Sequence, residues 1–145
     1  MNSIILDTNV LSELMRAQPA PVVMDWFSRQ TTVTFSITAI TQAEILLGIA
    51  LLPAGKRRDL LADAAEKMFQ EDFSGYCLPF DESCTALYAA VVASLRRSDF
   101  SMTTEDAQIA AIALRHNLPL ATKLGTIRRN RSCYFSRPPS SRTHA

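Results

Sequence analysis

Short hydrophobic runs alternate with amphipathic stretches along this chain, which is the pattern of an α/β domain. Four runs rich in aliphatic, β-branched or aromatic residues predict strands. They lie at residues 4–6, 33–37, 76–80 and 118–122. The intervals between them carry apolar residues at helical spacing and predict two helices each. The resulting order, β-α-α-β-α-α-β-α-α-β, indicates an α/β sandwich built on a short parallel sheet.

The first predicted strand ends abruptly in three polar residues, Asp7-Thr8-Asn9. The aliphatic residues before them are expected to be buried on both faces, as parallel strands are. Thr8 and Asn9 are both favourable N-cap residues for the helix that follows. Asp7 is therefore expected at the carboxyl edge of the sheet, which is where open α/β sheets bind their ligands.

Two further acids stand out by their surroundings. Glu44 is the only charged residue between Arg29 and Lys56, and Asp106 lies in the first turn of a nearly apolar predicted helix. An uncompensated charge in an apolar setting is costly. Each acid also has a purely structural explanation: Asp7 as a helix cap, Glu44 as a side chain extended to solvent, and Asp106 as a partner of the helix dipole.

Taken together, the three acids suggest a metal site. Carboxylates gathered without a nearby Lys or Arg repel one another and stay ionised only around a cation. Hard oxygen ligands with room for water suit Mg²⁺ or Mn²⁺. Such an ion activates a water molecule and stabilises charge on a phosphoryl group, as phosphodiester hydrolysis requires.

Composition limits the alternatives. The chain has 145 residues, 48% hydrophobic and 20% charged, which fits one ordinary globular domain. Its first residues lack a basic segment, and its longest apolar stretch is too short for a membrane span, so neither a secretory leader nor a membrane anchor is expected. Three cysteines without CxxC spacing favour free thiols in a reducing compartment, and hence a cytoplasmic protein.

Charge is distributed unevenly along the chain. Residues 1–122 hold all 14 acidic residues and nine of the 15 Lys and Arg, a net charge of −5. Residues 123–145 hold the other six basic residues and no acid. This change predicts a boundary near Thr122, with a compact domain at 1–122 and a basic, disordered tail at 123–145.

Three blocks in this chain resemble successive blocks of PIN-domain ribonucleases. They are IILDTNVLSE at residues 4–13, TAITQAEILLGI at 38–49 and EDAQIAAIA at 105–113. The order and spacing are similar to those of VapC-type toxins of type II toxin–antitoxin systems, in the branch that includes the FitB-like proteins. The resemblance implies a three-layer α/β/α PIN-like domain with a short, mainly parallel sheet of four or five strands.

The resemblance also implies roles for individual residues. Asp7, Glu44 and Asp106 match the acids that bind the catalytic Mg²⁺ or Mn²⁺ in the family. Thr8 and Asn9 match polar residues that support the first acid by hydrogen bonds. Thr122 matches a threonine that lines the metal-binding pocket in the family. The implied protein is an RNA-cleaving homodimer that a cognate antitoxin holds silent, with no membrane association.

One departure from the family concerns the end of the domain. The family continues from its pocket threonine to a fourth acid, whereas this chain has Lys123-Leu124 next and no acid anywhere after. We hypothesise that the tail is translated out of the ancestral frame. Codons for residues 125–135 exist whose adjacent frame reads ARFEGTGAAIF, which resembles the family's usual sequence at this place. The nucleotide sequence tests this directly. The alternative is a divergent basic tail that binds RNA phosphates.

Two other functions remain open. A catalytically impaired relic that still binds an antitoxin would also explain the missing acid. A phosphatase of the haloacid-dehalogenase kind begins with a strand and an Asp as well, but its motif needs a second Asp where this chain has Asn9.

Overall fold

The computed structural model describes residues 2–122 and the backbone of residues 125–127. Strands occur at β1 (Asn2–Leu6), β2 (Val33–Thr38), β3 (Cys77–Leu78), β4 (Leu120–Thr122) and β5 (Gly125–Ile127). The α-helices are α1 (Thr8–Leu14), α2 (Pro21–Ser28), α3 (Ala39–Ala50), α4 (Lys56–Lys67), α5 (Thr85–Arg97) and α6 (Thr104–His116). The predicted order of strands and helices up to residue 122 is therefore confirmed.

The five strands form one sheet in the order β3-β2-β1-β4-β5. Strands β1 to β4 run parallel, and β5 runs antiparallel to β4. The central strand β1 pairs with β2 on one side and β4 on the other. Its three aliphatic residues are buried, as predicted for a strand covered on both faces.

Helices cover the sheet on both faces, which gives the expected three-layer α/β/α architecture. One buried cluster joins strand residues to α1, α3 and α4, with Leu6, Leu11 and Ile45 among its members. A second joins Cys84 to Ala111 and Ile112 of α6. Neighbouring residues of β3 pack against different clusters, Cys77 against the first and Leu78 against the second, because side chains alternate along a strand.

The third strand is shorter than predicted. Residues 76–80 carry a strand-like sequence, but only Cys77–Leu78 pair with β2. Pro79 has no N–H to donate to a ladder, so pairing ends before it.

Strand β5 lies beyond the predicted domain boundary at Thr122. It pairs with β4 from Leu120↔Ile127 to Thr122↔Gly125. The rest of the predicted tail, Cys133 included, lies outside the described residues, and the boundary itself stays a prediction. Among the described residues, Cys77 and Cys84 are free thiols. No helix within residues 2–122 is both long and apolar enough to cross a membrane.

Candidate metal centre at the carboxyl edge of the sheet

Asp7 follows the last residue of β1 and is itself the N-cap of α1. Its carboxylate accepts a hydrogen bond from the Val10 N–H at 2.9 Å. The expectation that Thr8 or Asn9 caps this helix is wrong, because both already lie inside it. The backbone N–H of Asp7 donates to the carbonyl of Ala121 at 3.0 Å. The sheet and the helix together therefore hold this carboxylate in place.

Glu44 lies on α3, and its carboxylate is held from another helix. The hydroxyl of Thr8, the first residue of α1, donates to Glu44 Oε1 at 2.7 Å. The same hydroxyl lies 3.0 Å from the hydroxyl of Thr41. Glu44 is only half-buried, but it is fixed rather than simply extended to solvent.

Asp106 lies in the first turn of α6, where the helix dipole favours an acid. The N–H of Asp106 donates to the hydroxyl of the N-cap residue Thr103 at 3.1 Å. The helix is buried through Ala107, Ile109 and Ala111, whereas Asp106 itself is exposed. This end of α6 is therefore anchored by its apolar face and leaves the Asp106 carboxylate open to solvent.

Electrostatics connect the three acids. Burial raises the pKa of the Asp7 carboxyl above its usual value, and the N–H groups of Val10 and Asn9 offset part of that rise. The negative charges of Asp106 and Glu44 raise the same pKa further. The fold thus brings acids from a strand end, the middle of α3 and the start of α6 near enough to repel one another.

The other two predicted residues lie close to Asp7 in different ways. Thr122 is the last residue of β4, one position after Ala121, which receives the Asp7 hydrogen bond. Asn9 has an exposed side chain, and its backbone N–H stabilises the Asp7 carboxylate. Thr8 supports Glu44 through its hydroxyl, although the family resemblance assigns it to the first acid.

The chemistry of this donor set fits a hard divalent cation. Among the described residues, the Asp7 pKa is shifted by burial, by the backbone N–H groups of Val10 and Asn9 and by two acids, and by no cation. A bound cation would turn this repulsion into attraction. Within residues 2–122, no three Asp, Glu, His or Cys side chains lie close enough together to hold a metal ion between them. Mg²⁺ commonly keeps several waters and uses only one or two carboxylates, so an open site of this kind suits it.

Sequence reasoning overlooked two residues next to this site, Thr38 and Thr41. Both are fully buried, and Thr38 accepts a hydrogen bond from the Thr41 N–H at 3.1 Å. Spacing was part of the available signal, because Thr41 and Glu44 are three positions apart in α3 and so share one face of the helix that Thr38 caps.

The chain matches known proteins over nearly all of its described length. The family model described as "PIN domain" matches residues 4–125. Plasmid stability protein StbB of Pseudomonas syringae is 43% identical over 83% of this chain and 86% of that protein. VapC ribonuclease Y4jK of Sinorhizobium fredii and Toxin FitB of Neisseria gonorrhoeae are each 38% identical over the same shares.

A solved structure agrees with these relatives. The crystal structure of FitAcB from Neisseria gonorrhoeae superposes with a TM-score of 0.75 at 39% identity. The match covers 82% of this chain and 86% of that one. The parallel sheet, the helical layers and the acids at the sheet edge therefore have a common explanation: this chain belongs to the PIN-domain family.

Proposed function

We propose that this protein is a Mg²⁺- or Mn²⁺-dependent endoribonuclease, the toxin of a toxin–antitoxin module. The observation that carries the proposal is the half-buried Asp7 at the sheet edge, whose pKa is raised by burial and by Asp106 and Glu44. Mutual repulsion of this kind is a cost to the fold that a cation would remove.

Each residue has a defined part in this proposal. A divalent cation at such a site activates water and stabilises charge on the scissile phosphate. Asp7, Glu44 and Asp106 would hold the cation from three different elements. Thr8 holds Glu44 in place through its 2.7 Å hydrogen bond. Thr122, at the end of β4, would line the same site.

The substrate and the partners are supported by the named relatives. One relative at 38% identity is called a VapC ribonuclease, and another is called Toxin FitB. We therefore assign RNA as the substrate and a cognate antitoxin as the inhibitor, and from the family resemblance we assign a homodimer as the active unit. A cytoplasmic location agrees with the free thiols of Cys77 and Cys84.

The second candidate is a relic that binds an antitoxin without cutting RNA. It is favoured by one observation, the absence of any acid after Asp106. Three acids can still hold one ion, so this absence alone does not decide between the two functions.

An RNA-cleavage assay tests the proposal. Wild type is compared with Asp7→Asn in Mg²⁺, in Mn²⁺ and in a chelator, using a mixed RNA pool. The matched control is Asp63→Asn, the same substitution at an exposed position of α4. We expect cleavage by wild type and Asp63→Asn with either metal, and none by Asp7→Asn or in chelator.

Growth measurements separate the two candidates. Induced without antitoxin, an active nuclease arrests growth and Asp7→Asn does not, whereas a relic leaves growth unchanged in both forms. Equal RNA cleavage by wild type and Asp7→Asn would refute the metal site.

A further inference from the structure

A row of threonine hydroxyls leads from the start of α3 to the Glu44 carboxylate. The Thr38 hydroxyl donates to the Thr41 hydroxyl at 3.4 Å, and the Thr41 and Thr8 hydroxyls are 3.0 Å apart. Thr8 then donates to Glu44 Oε1 at 2.7 Å. Three side chains from β2, α3 and α1 thus meet in one continuous set of hydrogen bonds.

The direction of this row follows from counting hydrogens. A carboxylate has no hydrogen to give, so the single hydroxyl hydrogen of Thr8 is used on Glu44. Thr8 must then accept from Thr41, which uses the one hydrogen of Thr41. Thr41 in turn accepts from Thr38, whose oxygen also accepts from the Thr41 N–H at 3.1 Å. Every hydroxyl in the row therefore donates once and accepts at least once.

Burial stabilises the hydrogen bonds between these threonine hydroxyls. Thr38 and Thr41 are both 0% exposed, so water does not compete for their hydroxyls. Thr38 is also the N-cap of α3, which ties the row to the helix that carries Glu44. A hydroxyl that already accepts one hydrogen bond and donates another has little freedom to rotate.

We propose that Thr41 is a positioning residue for the metal centre, fixing the Glu44 carboxylate through the hydroxyl of Thr8. The inference rests on the proposed function, because it assigns Thr41 a part in holding the cation. Thr41 does not itself reach the carboxylate. By donating to Thr8, the Thr41 hydroxyl keeps the Thr8 hydrogen directed at Glu44. The position of the Glu44 carboxylate is therefore fixed before a metal ion binds.

The test measures Mn²⁺ binding by calorimetry on the full-length protein without RNA. Thr41→Val keeps the shape of the side chain and removes the hydroxyl, whereas Thr41→Ser keeps the hydroxyl and removes the methyl group. The matched control is Thr85→Val, because the Thr85 hydroxyl donates to the Glu82 carbonyl on the surface. Circular dichroism checks that each variant folds, and Thr41→Ala replaces Thr41→Val if the valine is not accommodated.

We expect Thr41→Val to raise the Kd for Mn²⁺ about tenfold or more, the usual effect of losing a partner that orients a metal ligand. Thr41→Ser and Thr85→Val should stay near the wild-type Kd. Thr41→Val should add no further loss to Thr8→Val, because Thr41 acts only through Thr8. A role in packing alone would make serine the worse variant in thermal stability and leave both Kd values unchanged.

The outcomes distinguish this inference from the proposed function. If wild type binds Mn²⁺, Asp7→Asn does not, and Thr41→Val binds as wild type does, the role of Thr41 is wrong and the metal site stands. If wild type binds no Mn²⁺, or Asp7→Asn binds it equally, the metal site is wrong and the role of Thr41 falls with it.

Discussion

The hydroxyl of Thr8 donates a 2.7 Å hydrogen bond to Glu44, so the residue next to one candidate metal ligand orients another. This bond joins the start of α1 to the middle of α3, and its two residues are 36 positions apart in sequence. Asp7, by contrast, is held by backbone groups of its own helix and of β4. The acids at this edge are therefore fixed by different means.

Replacing Thr8 tests the value of this bond. Thr8→Val removes the donor at nearly constant volume, and we expect RNA cleavage measured as kcat/KM to fall about 10- to 100-fold. Thr8→Ser keeps the hydroxyl and should retain most of the activity. Equal activity of the valine variant and wild type would mean that Glu44 is held by other contacts.

Asp7→Asn should make the metal-free protein more stable at neutral pH. The Asp7 pKa is raised mainly by burial, so the fold favours the neutral carboxyl. The contribution of the neutral Asp7 carboxyl to the stability of the fold is fully present below pH 3.8, the ordinary pKa value. This contribution is lost as pH rises through the folded-state pKa. Asparagine is neutral throughout and can still cap α1 by accepting from Val10.

Thermal melts in chelator from pH 4 to pH 8 measure this effect. We expect the Tm of Asp7→Asn to exceed that of wild type by a few degrees at pH 7, with the gap closing toward pH 4. Adding Mn²⁺ should raise the Tm of wild type alone, since only that form binds the ion. A variant that is less stable than wild type at pH 7 in chelator would contradict the electrostatic account.

Glu13 provides a test of the fold near the site. Its side chain is buried, accepts from the Ala20 N–H at 2.8 Å and pairs with Arg16 at 3.3 Å. Glu13→Ala should lower the free energy of unfolding by about 1–3 kcal/mol, because the Ala20 N–H then loses its acceptor. The control is Asp25→Ala, which breaks an exposed pair with Arg29 and should cost less than about 1 kcal/mol. Urea unfolding measures both, and equal losses would contradict the assigned role of Glu13.

Two truncations separate the last strand from the basic tail. Ending the chain after Ile127 keeps β5 and removes five arginines, Arg128, Arg129, Arg131, Arg137 and Arg142. If the tail contacts RNA phosphates, this form should bind RNA with a shallower salt dependence and still bind Mn²⁺. Ending after Thr122 also removes β5, the antiparallel partner of β4, so we expect lower stability and weaker metal binding. Unchanged salt dependence after the first cut would exclude phosphate contacts by the tail.

Much of this fold could be predicted because local and tertiary signals agree. The aliphatic run before Asp7 and the apolar face of α6 each predict an element that the structure contains. The candidate acids could be selected because each interrupts an apolar setting. The hydroxyl row escaped prediction because Thr8 and Thr41 meet only in the folded chain, 33 positions apart in sequence. Strand β5 escaped it because the three-residue run Gly-Thr-Ile is too short to stand out from the basic segment after it, and it pairs only once β4 presents an edge.

The antiparallel direction of β5 determines the end of the sheet at which the described part of the chain stops. Strand β4 runs toward the edge that carries Asp7, and β5 returns from Gly125, opposite Thr122, to Ile127, opposite Leu120. Ile127, the last described residue, therefore lies at the opposite end of β4 from Thr122. A three-residue strand spans about 7 Å, so β5 separates the end of the described chain by that length from the end of β4 beside Asp7.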